Sequence, residues 1–189
     1  MAAGREVWLL RHAETEWSLT HRHTGRTDIP LTERGREHAR DLRERVAGRH
    51  FALVLVSPLG RARETAELAG LADVAQPRDA LLEWDYGDCE GRTVEEIRAE
   101  RPEWFLWRDG CPGGESPEDV AGRADAVVAE ALAAEGDVAL VAHGHILRAV
   151  AARWIEQPVA TGGRLRLDTG TVSVLGFERQ VRVVLRWNG

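Results

Sequence analysis

The sequence lacks lysine, has only two cysteines and contains no apolar stretch that approaches the length of a membrane span. Without lysine, the chain cannot use a lysine amine as a nucleophile or as a phosphate ligand, and its 25 arginines are the side-chain cations that stay charged at any working pH. A spanning helix needs about 20 consecutive apolar residues, so no membrane partner is expected. The formal net charge of −6 argues against general binding to nucleic acid.

The two cysteines, Cys89 and Cys111, do not form the CxxC pairs of a structural zinc site. Free thiols are typical of a reducing compartment, and the first residues lack the basic flank and the apolar core of a secretory signal. A cytoplasmic location is therefore expected. The length of 189 residues fits a single domain over 1–189.

Three continuous apolar segments, 6–11, 52–56 and 138–142, predict buried strands, and helical patterns separate them. Near the end of the chain, 171–178 and 181–187 predict an antiparallel pair of strands, because apolar and polar residues alternate along the second of them. Continuous apolar strands that alternate with helices favour a parallel sheet covered on both faces. The predicted fold class is therefore α/β, a three-layer α/β/α sandwich whose sheet is mostly parallel with an antiparallel edge.

Residues that favour helix N-termini mark where the helices begin. Thr32 is expected to cap a helix that runs to about Val46, and Ser116 is expected to cap a long helix that follows it. The other predicted helices are 58–69, a short helix opened by Thr93, and 146–156. The looser segment 71–116 is expected to form a lid or insertion over the site.

Cationic side chains and histidines stand where the buried strands end. Arg11 and His12 end the first strand, and His143 ends the third. Ligands of open α/β sheets bind beyond the carboxyl ends of the strands, so these side chains are expected to converge. Arg61 lies in the first turn of the helix after the middle strand, where a cation opposes the helix dipole unless it faces an anion. The pattern predicts a phosphate site.

Several carboxylates stand near aromatic residues in a fourth segment, 83–91. They are Glu83, Asp85, Asp88 and Glu90. Burial against aromatic surface raises the pKa of a carboxyl group, as a general acid requires. The sequence pattern does not say which of the four is buried.

Six motifs, in this order, resemble the histidine phosphatase superfamily, which includes the cofactor-dependent phosphoglycerate mutases and many acid phosphatases. The motifs are Leu10–Thr15, Thr24–Thr32, Ser57–Ala66, Glu83 with Gly87 and Glu90-Gly91, Gly114–Ser116, and His143-Gly144-His145. The resemblance covers nearly the whole chain. One departure is Ala13, where the family usually has glycine; a position that needs positive φ would strain an alanine.

The resemblance implies a role for each matching residue. His12 is expected to be the nucleophile that becomes phosphohistidine, and Glu83 the proton donor to the leaving group. Arg11, Arg61 and His143 are expected to hold the phosphoryl oxygens. Apart from the resemblance, a protonated His143 would add a donor to the transferring group. The residues expected to contact substrate are Ser18, Thr24, Gly25, Gly144 and His145. No metal and no cofactor is expected, since arginines supply the positive charge.

The expected activity is metal-independent hydrolysis of phosphomonoesters, with small phosphorylated metabolites as substrates. A cofactor-dependent phosphoglycerate mutase is the first alternative; the mutases carry extra basic residues, including lysine, in a middle insertion that is short here. A sugar bisphosphatase of the sedoheptulose or fructose type is the second, and the motifs do not separate it from a broad acid phosphatase. A zinc hydrolase or an inactive phosphate-binding scaffold is less favoured. An edge strand without a neighbour would allow pairing with a second copy of the chain, so a homodimer is one assembly that the sequence allows.

Overall fold

The computed structural model describes residues 5–189, which fold into a six-stranded sheet flanked by helices. The strands are β1 Val7–Arg11, β2 Phe51–Val56, β3 Ala75–Pro77, β4 Asp137–Ala142, β5 Val172–Glu178 and β6 Val181–Arg186. The helices are α1 Glu16–Leu19, α2 Glu33–Val46, α3 Gly60–Leu68, α4 Val94–Glu100, α5 Leu106–Asp109, α6 Pro117–Ala133 and α7 Gly144–Trp154. Within 5–189, none of these helices is both long and apolar enough to cross a membrane.

The strands lie in the order β3-β2-β4-β1-β5-β6. Strands β1 to β4 are parallel, whereas β5 is antiparallel to both β1 and β6. The predicted α/β class, with a mostly parallel sheet and an antiparallel edge, is confirmed. The short edge strand β3 was not predicted. It ends at Pro77, a residue that sheets tolerate at their edges because it cannot donate to a neighbouring strand.

Alternate residues along the strands divide the core into two layers, one on each face of the sheet. Leu9 and Leu140 lie in the layer that α6 and α7 cover, where Ile146 packs. Trp8 lies in the layer that α2 and α3 cover, where Leu42 packs. The sheet therefore has helices on both faces, which makes the fold a three-layer sandwich.

The predicted helix caps are found. Thr32 accepts a hydrogen bond from the Gly35 N–H, and both Thr93 and Ser116 form complete capping boxes. Each such cap contributes about 1 kcal/mol to stability. The caps fix where the chain leaves the loops, and hence which residues remain at the carboxyl edge of the sheet.

Candidate active site

The carboxyl ends of β1 and β4 bring two histidines together. Because the two strands are parallel neighbours, Arg11 pairs with Ala142, and the His12 N–H donates to the Ala142 carbonyl at 2.8 Å. The ring centroids of His12 and His143 lie 5.1 Å apart. The convergence expected from the strand ends is therefore present.

His12 is held in a single tautomer. Its Nδ1 lies 2.8 Å from the carbonyl oxygen of Ala13, and since a carbonyl can only accept, Nδ1 carries the proton and Nε2 carries the lone pair. Burial, followed by the charges of Arg61 and Arg11, lowers the pKa of His12 well below its ordinary value of 6.5. The ring is consequently neutral and nucleophilic at Nε2.

Ala13 is accommodated without the strain that a positive φ would bring, because its φ is negative. Its side chain is fully buried beside Leu31 and Ala39, and its N–H donates to the Thr65 hydroxyl at 3.1 Å. The departure from the usual glycine therefore leaves the backbone beside His12 in an ordinary conformation.

Arg11 offers a hydrogen-bond donor that the protein does not use. One of its terminal nitrogens donates to the Leu167 carbonyl, whereas its buried Nε has no acceptor among residues 5–189. The guanidinium packs against Gly144, where an added Cβ would lie only 3.2 Å from Arg11 Cζ. A buried donor without a partner is costly, so Arg11 is suited to an anionic ligand.

His12 and Arg11 open into a cavity of about 220 Å³, which suits a small molecule. The other lining residues are Ser18, His21, Arg22, His23, Thr24, Glu83, Tyr86, Val94, Gly144, His145, Arg148 and Leu167. Three arginines against one glutamate make the lining net positive in a chain that is acidic overall. Such a lining attracts anions.

His143 lies directly behind His12 and does not line the cavity. Arg61 Nε donates to His143 Nδ1 at 3.2 Å, so the ring proton is on Nε2, which donates to the Ser57 hydroxyl at 2.7 Å. Burial, followed by the charge of Arg61, lowers the pKa of His143 well below 6.5. A protonated His143 is disfavoured in this arrangement, because a cation beside the buried ring opposes a second positive charge.

Arg61 is also buried, and its guanidinium N–H groups donate hydrogen bonds to other residues of the chain. Its terminal nitrogens donate to the carbonyls of Thr27 and Gly25, both at 2.9 Å. At the N-terminus of α3, the Gly60 N–H donates to the Asp28 carboxylate at 2.6 Å, and Arg61 lies 3.6 Å from the same carboxylate. A carboxylate of the chain itself, Asp28, thus lies beside Arg61 at this helix N-terminus.

The residues expected to contact substrate divide into two groups. Ser18, Thr24, Gly144 and His145 line the cavity, but Gly25 does not. The Gly25 N–H donates to the Glu90 carboxylate at 2.9 Å, and a Cβ at this position would lie 2.7 Å from a backbone oxygen. Gly25 is therefore required for close packing of the turn, and its neighbour Thr24 faces the cavity.

Among the four carboxylates of the 83–91 segment, Glu83 is the one that lines the cavity. It is 4% exposed, and its oxygens accept hydrogen bonds from the N–H groups of Trp84, His145 and Ile146, each at 2.9 Å. Two of these donors belong to the first turn of α7, where negative charge is stabilised. Glu83 is thus placed beside the cavity and hydrogen-bonded as a carboxylate.

His145 is fixed by a tyrosine. The Tyr86 hydroxyl lies 2.6 Å from His145 Nδ1. Burial raises the pKa of Tyr86 well above 10.0, and burial, followed by the charge of Arg148, lowers the pKa of His145 well below 6.5. The hydroxyl therefore donates to Nδ1, and the neutral ring carries its proton on Nε2.

Five of the cavity residues were not predicted from the sequence: Arg22, Tyr86, Val94, Arg148 and Leu167. Arg148 follows Gly144 by four positions, so the two share a face of α7, and this spacing was the signal that could have revealed it. The described part of the chain contains no group of three or more His, Cys, Asp or Glu side chains that could hold a metal ion. Cys89 and Cys111 are free and buried.

Known proteins share these motifs and this fold. The family profile of the histidine phosphatase superfamily (branch 1) matches residues 7–189. An acid phosphatase of Mycobacterium tuberculosis is 45% identical over 92% of this chain and 87% of its own length. The sedoheptulose 1,7-bisphosphatase of Saccharomyces cerevisiae is 34% identical over 77% of this chain and 66% of its own length. A probable phosphoglycerate mutase of Photorhabdus laumondii is 31% identical over 96% and 89%.

Among solved structures, that of the Rv3214 open reading frame from Mycobacterium tuberculosis superimposes on this chain with a TM-score of 0.93. The two chains are 41% identical, and the alignment covers 97% of each. At this identity and coverage the likeness extends over the whole described fold.

Proposed function

Because the chain belongs to the histidine phosphatase superfamily, we propose that it hydrolyses the phosphomonoesters of small metabolites through a phosphohistidine at His12. One observation carries the proposal. The Nδ1 proton of His12 is held by the Ala13 carbonyl, so the free lone pair of a neutral ring lies at Nε2, in a cavity that the guanidinium-bearing Arg11 also lines. This is a nucleophile beside an oxyanion site.

In the first step, His12 Nε2 attacks phosphorus while the bond between phosphorus and the leaving oxygen breaks. Phosphoryl transfer requires positioning and charge stabilisation above all. Arg11 and the N–H of Gly144 at the start of α7 face the phosphoryl oxygens in this proposal. Arg61 and His143 do not contact the substrate in this proposal. Arg61 adds positive potential and, together with Arg11, keeps His12 neutral.

Glu83 carries the proton. In its protonated form it donates to the leaving alcohol in the first step and becomes a carboxylate, which the three N–H donors stabilise. In the second step water attacks the phosphohistidine, the N–P bond breaks, and Glu83 takes a proton from the water. The balance over both steps is one ester and one water consumed, and one alcohol and one phosphate released.

The reaction is proposed to need no metal, because the cavity supplies positive charge from arginine. The acid phosphatase, at 45% identity, supports hydrolysis over phosphate transfer between substrates. The free cysteines fit the cytoplasmic location that we also propose.

The test combines p-nitrophenyl phosphate hydrolysis with trapping of the phosphoenzyme. His12→Ala should abolish turnover and acid-labile labelling from a radioactive substrate, whereas His50→Ala, at an exposed position outside the cavity, should retain both. EDTA should leave the rate unchanged. Turnover of a phosphoglycerate that depends on added 2,3-bisphosphoglycerate would instead identify a mutase. Substantial hydrolysis by His12→Ala would remove the nucleophile.

A further inference from the structure

Arginines with buried or partly buried side chains are almost all paired with a carboxylate in this molecule. Within residues 5–189, a carboxylate lies within 4 Å of Arg36, Arg61, Arg78, Arg92, Arg123, Arg153 and Arg182. The same described part of the chain offers no such carboxylate to Arg11 or Arg148, although both are partly buried. Both line the cavity that holds His12. Buried charges are normally paired, so this exception needs an explanation.

The protein satisfies only part of the Arg148 side chain. Its Nε donates to the Gly162 carbonyl at 2.8 Å, and its guanidinium lies 5.0 Å from the centre of the Trp107 ring. These contacts fix the plane of the guanidinium. Among residues 5–189, its two terminal nitrogens have no hydrogen-bond acceptor. Four N–H donors on a fixed guanidinium therefore remain available.

The position of Arg148 relates it to the phosphoryl site. It lies one helical turn after Gly144, a rise of about 6 Å along α7. Side chains of a helix lean toward its N-terminus, so the guanidinium extends back toward the cavity and toward His145. Arg22, the third arginine of the lining, is exposed and lies 3.8 Å from Glu96, so its charge is already paired.

We infer that Arg148 binds a second anionic group of the substrate, about one helical turn from the phosphoryl group that reacts with His12. The substrate class is then a phosphomonoester whose leaving group carries a carboxylate or a second phosphate a few bonds from the ester oxygen. Arg148 sets specificity and takes no part in bond breaking. The inference rests on the proposed hydrolase function.

Three substrates on one three-carbon skeleton test this inference. Glycerol 3-phosphate has a neutral hydroxyl at the far end, 3-phosphoglycerate has a carboxylate there, and glycerol 1,3-bisphosphate has a phosphate. The measured quantity is kcat/KM for each, in the wild type, in Arg148→Met and in Arg153→Met. Methionine keeps apolar contact with Trp107 and removes the charge. Arg153 serves as the control because it lies on the same helix but pairs with Asp125, outside the cavity.

The wild type should prefer one or both of the doubly anionic substrates over glycerol 3-phosphate by about 10-fold to 100-fold, the usual effect of a charge-assisted hydrogen bond. Arg148→Met should abolish this preference while changing kcat/KM for glycerol 3-phosphate less than about 3-fold. The ratio between the carboxylate and the phosphate substrates then identifies which anion is bound.

Two results would overturn the inference while leaving the hydrolase in place. The first is a wild type that cleaves all three esters equally well. The second is an Arg148→Met variant that keeps the preference, or that loses all three substrates to the same extent. The wild-type ratio does not depend on how the variant folds. Failure of the proposed function looks different, because no ester would be cleaved and His12 would not be phosphorylated.

Discussion

Replacement of Gly144 by alanine tests how closely Arg11 must approach the start of α7. The added Cβ would lie 3.2 Å from Arg11 Cζ and 3.3 Å from its Nε, whereas ordinary carbon contacts are about 3.5–4.0 Å. The guanidinium must therefore move by about 0.3–0.8 Å. Since misplacement by about 1 Å can cost 100-fold in rate, we expect kcat/KM for p-nitrophenyl phosphate to fall about 10-fold.

The same substitution should not destabilise the fold. Alanine is the better helix former, by up to about 1 kcal/mol in a helix interior, which offsets the crowding. The matched control is Gly122→Ala in α6, where an added Cβ would meet nothing within 4 Å; it should keep full activity and gain a little stability. Steady-state kinetics and urea unfolding measure the two effects. If Gly144→Ala were as active as Gly122→Ala, the position of Arg11 would not limit the reaction.

Two further predictions concern protons. The pKa values of His12, His143 and His145 are lowered by burial, so below pH 6.5 the unfolded chain binds more protons than the folded one. The contribution of these rings to the free energy of unfolding should be fully present above pH 6.5. Below that pH, the free energy of unfolding should fall by up to about 1.4 kcal/mol per pH unit for each ring. An unfolding midpoint that rises on acidification would contradict this prediction. Glu83→Gln should lower kcat/KM about 100-fold or more for alkyl phosphates but far less for p-nitrophenyl phosphate, and equal losses would point to another proton donor.

Short-range patterns were enough to predict the fold class and to place Arg11, His12 and His143 at the ends of strands. Continuous apolar strands predicted a covered parallel sheet, and the strand order then placed His12 beside His143. The tautomer of His12 could not be predicted. It depends on the distance from Nδ1 to the Ala13 carbonyl, which is set by how the chain leaves β1.

Around Arg61 the structure contains contacts that were not predicted, because they come from residues distant in the sequence. A cation in the first turn of α3 predicted a bound anion, and the sequence did not reveal that Asp28, 33 residues earlier, places a carboxylate there and accepts from the Gly60 N–H. A second ring proton on His143 was considered because the sequence does not show that Arg61 donates a hydrogen bond to its Nδ1. Arg148 was overlooked for the opposite reason, since its distinguishing property is that no carboxylate among residues 5–189 pairs with it.

In the proposed reaction, the first turn of α7 divides its N–H donors between two different anions. The N–H groups of His145 and Ile146 bind Glu83, which leaves Gly144 as the N–H beside Arg11. In this proposal the same helix terminus stabilises the Glu83 carboxylate that proton donation leaves behind, and it also faces the phosphoryl group that His12 attacks. In the proposed first step, negative charge moves from substrate to Glu83 without leaving the field of this terminus. A site so arranged needs little rearrangement between its two half-reactions.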